Sequence, residues 1–325
     1  MASPFSVVLP YWLDRPALEA LEIGVAAGEI GATELWVGEM ATFDAFALAT
    51  AIARDTRPHG EMRLVVGPLA IGVRTPASLA LGIATVSALG GRRADLALGA
   101  STPVVVSGWH GRTWGQSVAA MREHVDALKP MLAGERSGFA GDHVETRGFR
   151  LAADAPHSTL TIAAFAPRMV RLAAQIADRV VVNLVTPAQV SRIRREVDAA
   201  AQELHRPAPP LAVWVPVALN PDEAAFTQLA RQLVVYLAAP GYGEMFMEAG
   251  FAETVRFARS GAHLREVLAA IPRELISAIA AVGNEQAVIA TLESYRRAGA
   301  DEVAIVPVTA HDPGARHALR TLGPR

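Results

Sequence analysis

Short runs that are apolar at nearly every position recur along this chain. They are FSVVL (Phe5–Leu9), ELWVG (Glu34–Gly38), RLVVG (Arg63–Gly67), Ala94–Gly99, LTIAA (Leu160–Ala164), RVVVN (Arg179–Asn183), LAVWVPVAL (Leu211–Leu219) and EVAIVP (Glu302–Pro307). Continuous apolar runs, as opposed to alternating ones, are the pattern of parallel strands covered on both faces. Between them lie segments with helical spacing: Ala17–Gly31, Phe43–Arg54, Pro76–Leu89, Thr113–Gly134, stretches opening at Pro167 and Pro187, and Asn284–Ala298. Proline in a first turn, as at Pro76, and glycine at a helix end, as at Gly31, punctuate these segments.

Eight strands alternating with helices predict an α/β fold, a (β/α)8 TIM barrel with insertions, formed as a single domain over residues 1–325. Two segments break the rhythm. Around 135–158, FAGDHVETRGFRL sets Gly and Asp at turn positions between short β-like runs, which predicts a hairpin insertion. Residues 222–281 read as helical, with breaks near Pro240-Gly241 and Pro272, which predicts a helical insertion near 238–282. A doubly wound open sheet is the competing architecture. Against it, LPYWLDRPAL after the first strand carries no Gly-x-Gly-x-x-Gly, and Gly90-Gly91 precedes a strand and reads as a helix stop.

Composition narrows the chemistry. The chain has 325 residues, 51% of them hydrophobic, which is enough for a large core. A net charge of −2 without a basic stripe offers no footprint for nucleic acid. The absence of cysteine excludes disulfides, thiolate catalysis and iron–sulfur clusters. Lys129 is the one lysine and sits in a helical segment, which disfavours Schiff-base chemistry. Anions must then be held by Arg or by backbone N–H groups. The histidines show no metal spacing, and no G-x-S-x-G elbow occurs. No apolar run is long enough to span a bilayer and no signal-peptide pattern opens the chain, so a cytoplasmic protein is expected.

Barrel active sites lie at the C-terminal ends of the strands. Four candidates fall there. Gly67-Pro68 ends the third strand, where an X-Pro bond is the ordinary place for a cis peptide and Gly lets a ligand approach. Gly99-Ala100-Ser101-Thr102 keeps side chains small, so a flat ring can lie there with Ser101 or Thr102 donating; the bland alternative is a tight turn. Trp109-His110 offers a ring face and a titratable group, or else a half-buried aromatic beside a satisfied histidine. Ala166-Pro167-Arg168 opens the helix after strand five. A cation in that first turn opposes the helix dipole unless an anion binds there; a solvated arginine is the alternative.

The stretch VVGPLAIGVRTPASLALGIATVSALGGRRADLALGASTPVVVSGWHGR resembles the luciferase-like monooxygenase superfamily, in its branch dependent on the deazaflavin coenzyme F420. Arg74-Thr75-Pro76, Gly90-Gly91-Arg92, Leu96–Ser101 and Gly108–Gly111 carry the match. GATELWVGEM, FAPRMVRLAAQIADRVVVN and YRRAGADEVAIVPV extend it over nearly the whole chain. The resemblance implies a barrel, often a homodimer, with a flavin-like ring at the strand ends. It places the cofactor against Gly67, Pro68, Ala100, Ser101 and Thr102, its phosphate at Ala166, Pro167 and Arg168, and a further contact at Asn183. It implies an oxidoreductase that moves a hydride between coenzyme F420 and a small organic substrate. An FMN-dependent two-component monooxygenase and a non-catalytic flavin-binding barrel are the alternatives. Glu39-Met40 stand where some members carry an Asp-His pair, and Thr102 where the sugar-phosphate enzyme carries Glu. Glu39 and His110 are the candidate acid/base groups. Tyr242, Phe246, Phe251 and Phe257 in the helical insertion point to a hydrophobic substrate, or to core or dimer interface.

Overall fold

A computed structural model describes residues 5–324; Met1–Pro4 and Arg325, the ends of the span assigned to the barrel, lie outside the described residues. The strands are β1 (Ser6–Val8), β2 (Glu34–Val37), β3 (Arg63–Ala70), β4 (Ala94–Gly99), β5 (Leu160–Ala163), β6 (Arg179–Asn183), β7 (Leu211–Leu219), β8 (Ala281–Gly283) and β9 (Glu302–Pro307). β1 to β7 pair in parallel in sequence order, and β9 closes the ring between β7 and β1. This is the (β/α)8 barrel that the apolar runs predict. β8 is an addition at the rim: it pairs with Val217–Leu219, beyond the last β6 partner at Trp214. Its residues continue the apolar run that ends the helix before it, with no turn residue between, so the sequence pattern assigns its start to that helical stretch.

The helices are α1 (Glu19–Glu29), α2 (Ala45–Asp55), α3 (Pro76–Gly90), α4 (Ser117–Leu132), α5 (Pro167–Ile176), α6 (Pro187–Glu203), α7 (Glu223–Leu237), α8 (Tyr242–Glu248), α9 (Ala252–Arg259), α10 (Leu264–Ala269), α11 (Arg273–Ile279), α12 (Glu285–Arg297) and α13 (Arg316–Leu322). Local chemistry starts several of them. Asp44, Thr75, Thr186, Asp222 and Asn284 each accept a first-turn N–H. The Lys129 ammonium donates to the Ile176 carbonyl at 2.9 Å, at the C-terminal end of α5, where a cation is favoured. The segment 135–158 forms two isolated antiparallel bridges, Ser137 with Phe149 and Ala140 with Glu145, in place of a full hairpin ladder. Helix α4 begins at Ser117, and a π-helical turn at Val104–Trp109 precedes it.

Side chains alternate across each strand, so every second residue enters the bore. Val7, Leu35, Leu64, Leu96, Ile162, Val180, Val213 and Ile305 face outward and pack with the helices. Val8, Trp36, Val65, Ala97, Val181, Trp214 and Ala304 form a separate cluster inside. Below that cluster the inward positions are charged. Arg179 donates to Glu34 at 2.7 Å, to Glu302 at 2.6 Å and to Thr161 at 3.2 Å. Arg63 pairs with Asp95 and lies 3.4 Å from Glu34. The Arg179 guanidinium stacks 4.3 Å from the Trp36 ring centroid, and Trp36 meets Trp214 edge-on at 5.3 Å. Burial, with Glu302 alongside, pushes the Glu34 carboxyl up to about 8, against the pull of Arg179. This base is plugged, so a ligand must enter from the other end.

Candidate active site at the barrel mouth

Above Trp36 the bore residues shrink. Gly67 joins Pro68 through a cis peptide, at φ +124°, and the ladder to β4 slips between Val66 and Leu69. A Cβ on Gly67 would sit 2.2 Å from the Ala97 carbonyl oxygen, so only glycine fits. A Cβ on Gly99 would lie 3.3 Å from the Pro68 Cβ and 3.8 Å from the Ala163 Cβ. Strands β3, β4 and β5 therefore present a shelf with no protruding side chain. Ala100, half-buried, and Ser101, exposed at φ +59°, extend it. The Thr102 hydroxyl accepts the Val105 N–H at 3.4 Å and so helps to open the π-helical turn. That turn delivers Trp109, 50% exposed, and His110, also exposed, to the rim. The His110 ring has no hydrogen-bond or ion-pair partner among the described residues.

Glu39 follows β2 and is held in place. Arg74 donates to it at 3.1 Å through Nε and pairs with it again through Nη2, and the Ala45 N–H reaches it at 3.2 Å. The same guanidinium pairs with Asp44, which caps α2, and lies 5.0 Å from the Phe46 centroid. Across the mouth, α5 opens at Ala166 without any side-chain cap, and Pro167 fills its first position. The exposed Arg168 side chain has no partner among the described residues.

Aromatic side chains form the facing wall. The Tyr242 hydroxyl donates to Asn183 Oδ1 at 2.6 Å. Its ring lies 4.6 Å from Phe165 and 4.6 Å from Tyr236. The Tyr11 hydroxyl occupies the space where a Gly38 side chain would project, 2.1 Å from the ideal Cβ position, beside the Gly38 backbone. Burial pushes the hydroxyls of Tyr11, Tyr236 and Tyr242 above the ordinary phenol range. Three of the chain's four tyrosines thus gather at the mouth. Of the insertion residues singled out by sequence, Tyr242 reaches this wall, Phe246 is buried in core, Phe251 is half-buried and Phe257 is 40% exposed. Tyr236 carries no signal in sequence: it is one of several apolar positions in QLVVYL of α7.

A parallel barrel with a closed base, a side-chain-free shelf and an aromatic wall at its mouth is the architecture of a cofactor-using enzyme, and the comparisons with known proteins agree. The model of the luciferase-like monooxygenase family matches residues 9–302. The chain is 25% identical over 235 residues to 5,10-methylenetetrahydromethanopterin reductase of Methanolobus tindarius, covering 72% of this chain and 71% of that one. It superposes on coenzyme F420-dependent tetrahydromethanopterin reductase of Methanopyrus kandleri with a TM-score of 0.77 at 17% identity, covering 99% and 98% of the two chains. It also superposes on the oxygenating constituent of 3,6-diketocamphane monooxygenase from Pseudomonas putida, solved with FMN, with a TM-score of 0.68 at 18% identity and coverage of 99% and 95%. The chain belongs to the luciferase-like monooxygenase family and is an oxidoreductase. No helix among the described residues is long and apolar enough to cross a membrane.

Proposed function

We propose that this enzyme moves a hydride between coenzyme F420 and a small, apolar organic substrate. The shelf of Gly67, Pro68, Gly99 and Ala163 carries the reading. It is a flat surface at the strand ends: Gly67 lets β3 lie close against Ala97 of β4, and Gly99 leaves the space beside Pro68 and Ala163 without a side chain that would obstruct a planar heterocycle. Bound there, the coenzyme supplies the ring carbon that carries the hydride.

The remaining chemistry belongs to this chain. The uncapped amino end of α5 at Ala166 and Pro167, with the unpaired Arg168, holds the phosphate of the tail. Ala100 continues the shelf, while Ser101 and Thr102 have hydroxyl hydrogens free to donate to the ring edge. Asn183 donates from the opposite side. Phe165, Tyr236 and Tyr242 exclude water and select an apolar substrate. His110, exposed and unpartnered, exchanges the proton that accompanies hydride transfer. Glu39 takes part in that exchange only by releasing Arg74.

FMN is the second reading, because the flavin-bound monooxygenase shares the fold over nearly its whole length. Titrating purified protein with each cofactor, read by absorbance and fluorescence, separates the two. Coenzyme F420 is expected to bind more tightly than FMN. An absence of coenzyme F420 binding at tens of micromolar, or product formed only with reduced FMN and oxygen, overturns the first reading.

A further inference from the structure

We infer that Tyr242 is a positioning residue: its hydroxyl turns the Asn183 amide so that Nδ2, and not Oδ1, is presented to the ligand in the mouth. The inference rests on the reading of that mouth as a cofactor site.

A side-chain amide is nearly symmetric in shape, and turning it over exchanges a donor for an acceptor. Its hydrogen-bond partners decide which way it faces. Asn183 ends β6 at an inward position, and among the described residues its side chain bonds only with Tyr242, 59 residues away in the helical insertion. A phenol has one hydrogen to give. In the observed arrangement that hydrogen goes to Oδ1 at 2.6 Å. With the amide reversed, the hydroxyl hydrogen would lose its acceptor in a desolvated place, which is the costly outcome for a donor. Burial and the neighbouring Tyr236 keep this phenol protonated, so it remains a donor.

The hydroxyl is also prevented from swinging away. The Tyr242 ring is wedged between Phe165 and Tyr236, inclined at 54° and 56° to them. Gly241, at φ +86°, lets the loop press down: a Cβ there would lie 2.6 Å from the edge of the Phe165 ring. Asn183 Nδ2 has no protein acceptor, and it is absent from the buried, unpartnered polar atoms among the described residues. It is therefore an open donor at the mouth, and the group it meets on the heterocycle must be an acceptor such as a carbonyl oxygen. An element on the substrate side thus sets the polarity of a group on the cofactor side.

A double-mutant cycle on coenzyme affinity tests this, with fluorescence titration of coenzyme F420 into wild type, Y242F, N183A and the double variant, and a melting curve for each. Y242F is expected to raise Kd about fivefold and N183A about tenfold, with the double variant no weaker than N183A alone. Y242F keeps the ring and its packing, so its melting temperature should stay close to that of wild type. An unchanged Kd in Y242F, or two losses that simply add, overturns the inference while leaving the functional reading intact. A wild-type protein that binds no coenzyme overturns both.

Discussion

At the base of the barrel Arg179 holds Glu34 at 2.7 Å and Glu302 at 2.6 Å; at the mouth Arg168 holds no partner among the described residues. The same alternation of inward side chains runs through both ends of the strands, yet it delivers opposite environments. The base gathers Glu34, Arg63, Asp95, Thr161, Arg179 and Glu302 and pairs their charges against one another beneath Trp36. The mouth gathers glycine, alanine and proline, and leaves the Arg168 and His110 side chains without a partner among the described residues. Charges paired within the protein serve folding; under the proposed function, the cation and imidazole left free beside the shelf serve a ligand. The two ends should therefore respond to different measurements.

The base should dominate stability. Arg179→Met removes the cation that Glu34 and Glu302 share and is expected to cost about 3–5 kcal/mol by urea denaturation, because the groups it holds lose their buried partner. A loss below about 1 kcal/mol would show that the plug is not what braces the barrel. At the mouth, Gly99→Val drives a branched side chain between Pro68 and Ala163. Coenzyme affinity is expected to fall about a hundredfold, or about 2.7 kcal/mol. Equal coenzyme affinity in wild type and this variant would break the assignment of the shelf.

Glu34 sharpens the contrast through pH. Its carboxyl is raised to about 8 in the folded chain from an ordinary value of 4.5. Between those values the native state keeps a proton that the unfolded state has released. The stability it contributes is complete below pH 4.5 and is lost as pH rises through 8. Glu34→Gln should flatten the decline in urea-derived unfolding free energy between pH 6 and 9 by roughly 2–3 kcal/mol; a slope identical to wild type would contradict the buried-carboxyl account. The smallest effect is Arg168→Ala. Coenzyme Kd should rise about tenfold and with a weaker salt dependence, while stability holds or gains a few tenths of a kcal/mol, since a cation leaves a helix amino end. Unchanged affinity would remove the phosphate from α5.

Much of this was legible in one dimension. The apolar runs locate the eight barrel strands, and Pro76, Pro167 and Pro187 each stand at the start of a helix. Gly67-Pro68 reads as a special backbone position and is one. Other features left no trace. β8 follows the apolar end of α11 with no turn residue between them and so reads as helix, whereas the equally short β1 stands apart in FSVVL. Tyr236 sits in an apolar helical stretch and looks like core. Glu39 reads as a free carboxylate because Arg74, its partner, lies beyond an entire helix and strand.

What the sequence by itself determined about this protein is what neighbouring residues determine together: strand and helix periods, caps, and the small residues at strand ends, whose effects act over a few positions of chain. What the tertiary structure alone decided is which distant groups meet. Glu34 finds Arg179 across 145 residues, and Tyr242 finds Asn183 across 59. Closure of the ring brings the strands around a shared bore, and only there do opposite charges, or a hydroxyl and an amide, come within bonding distance.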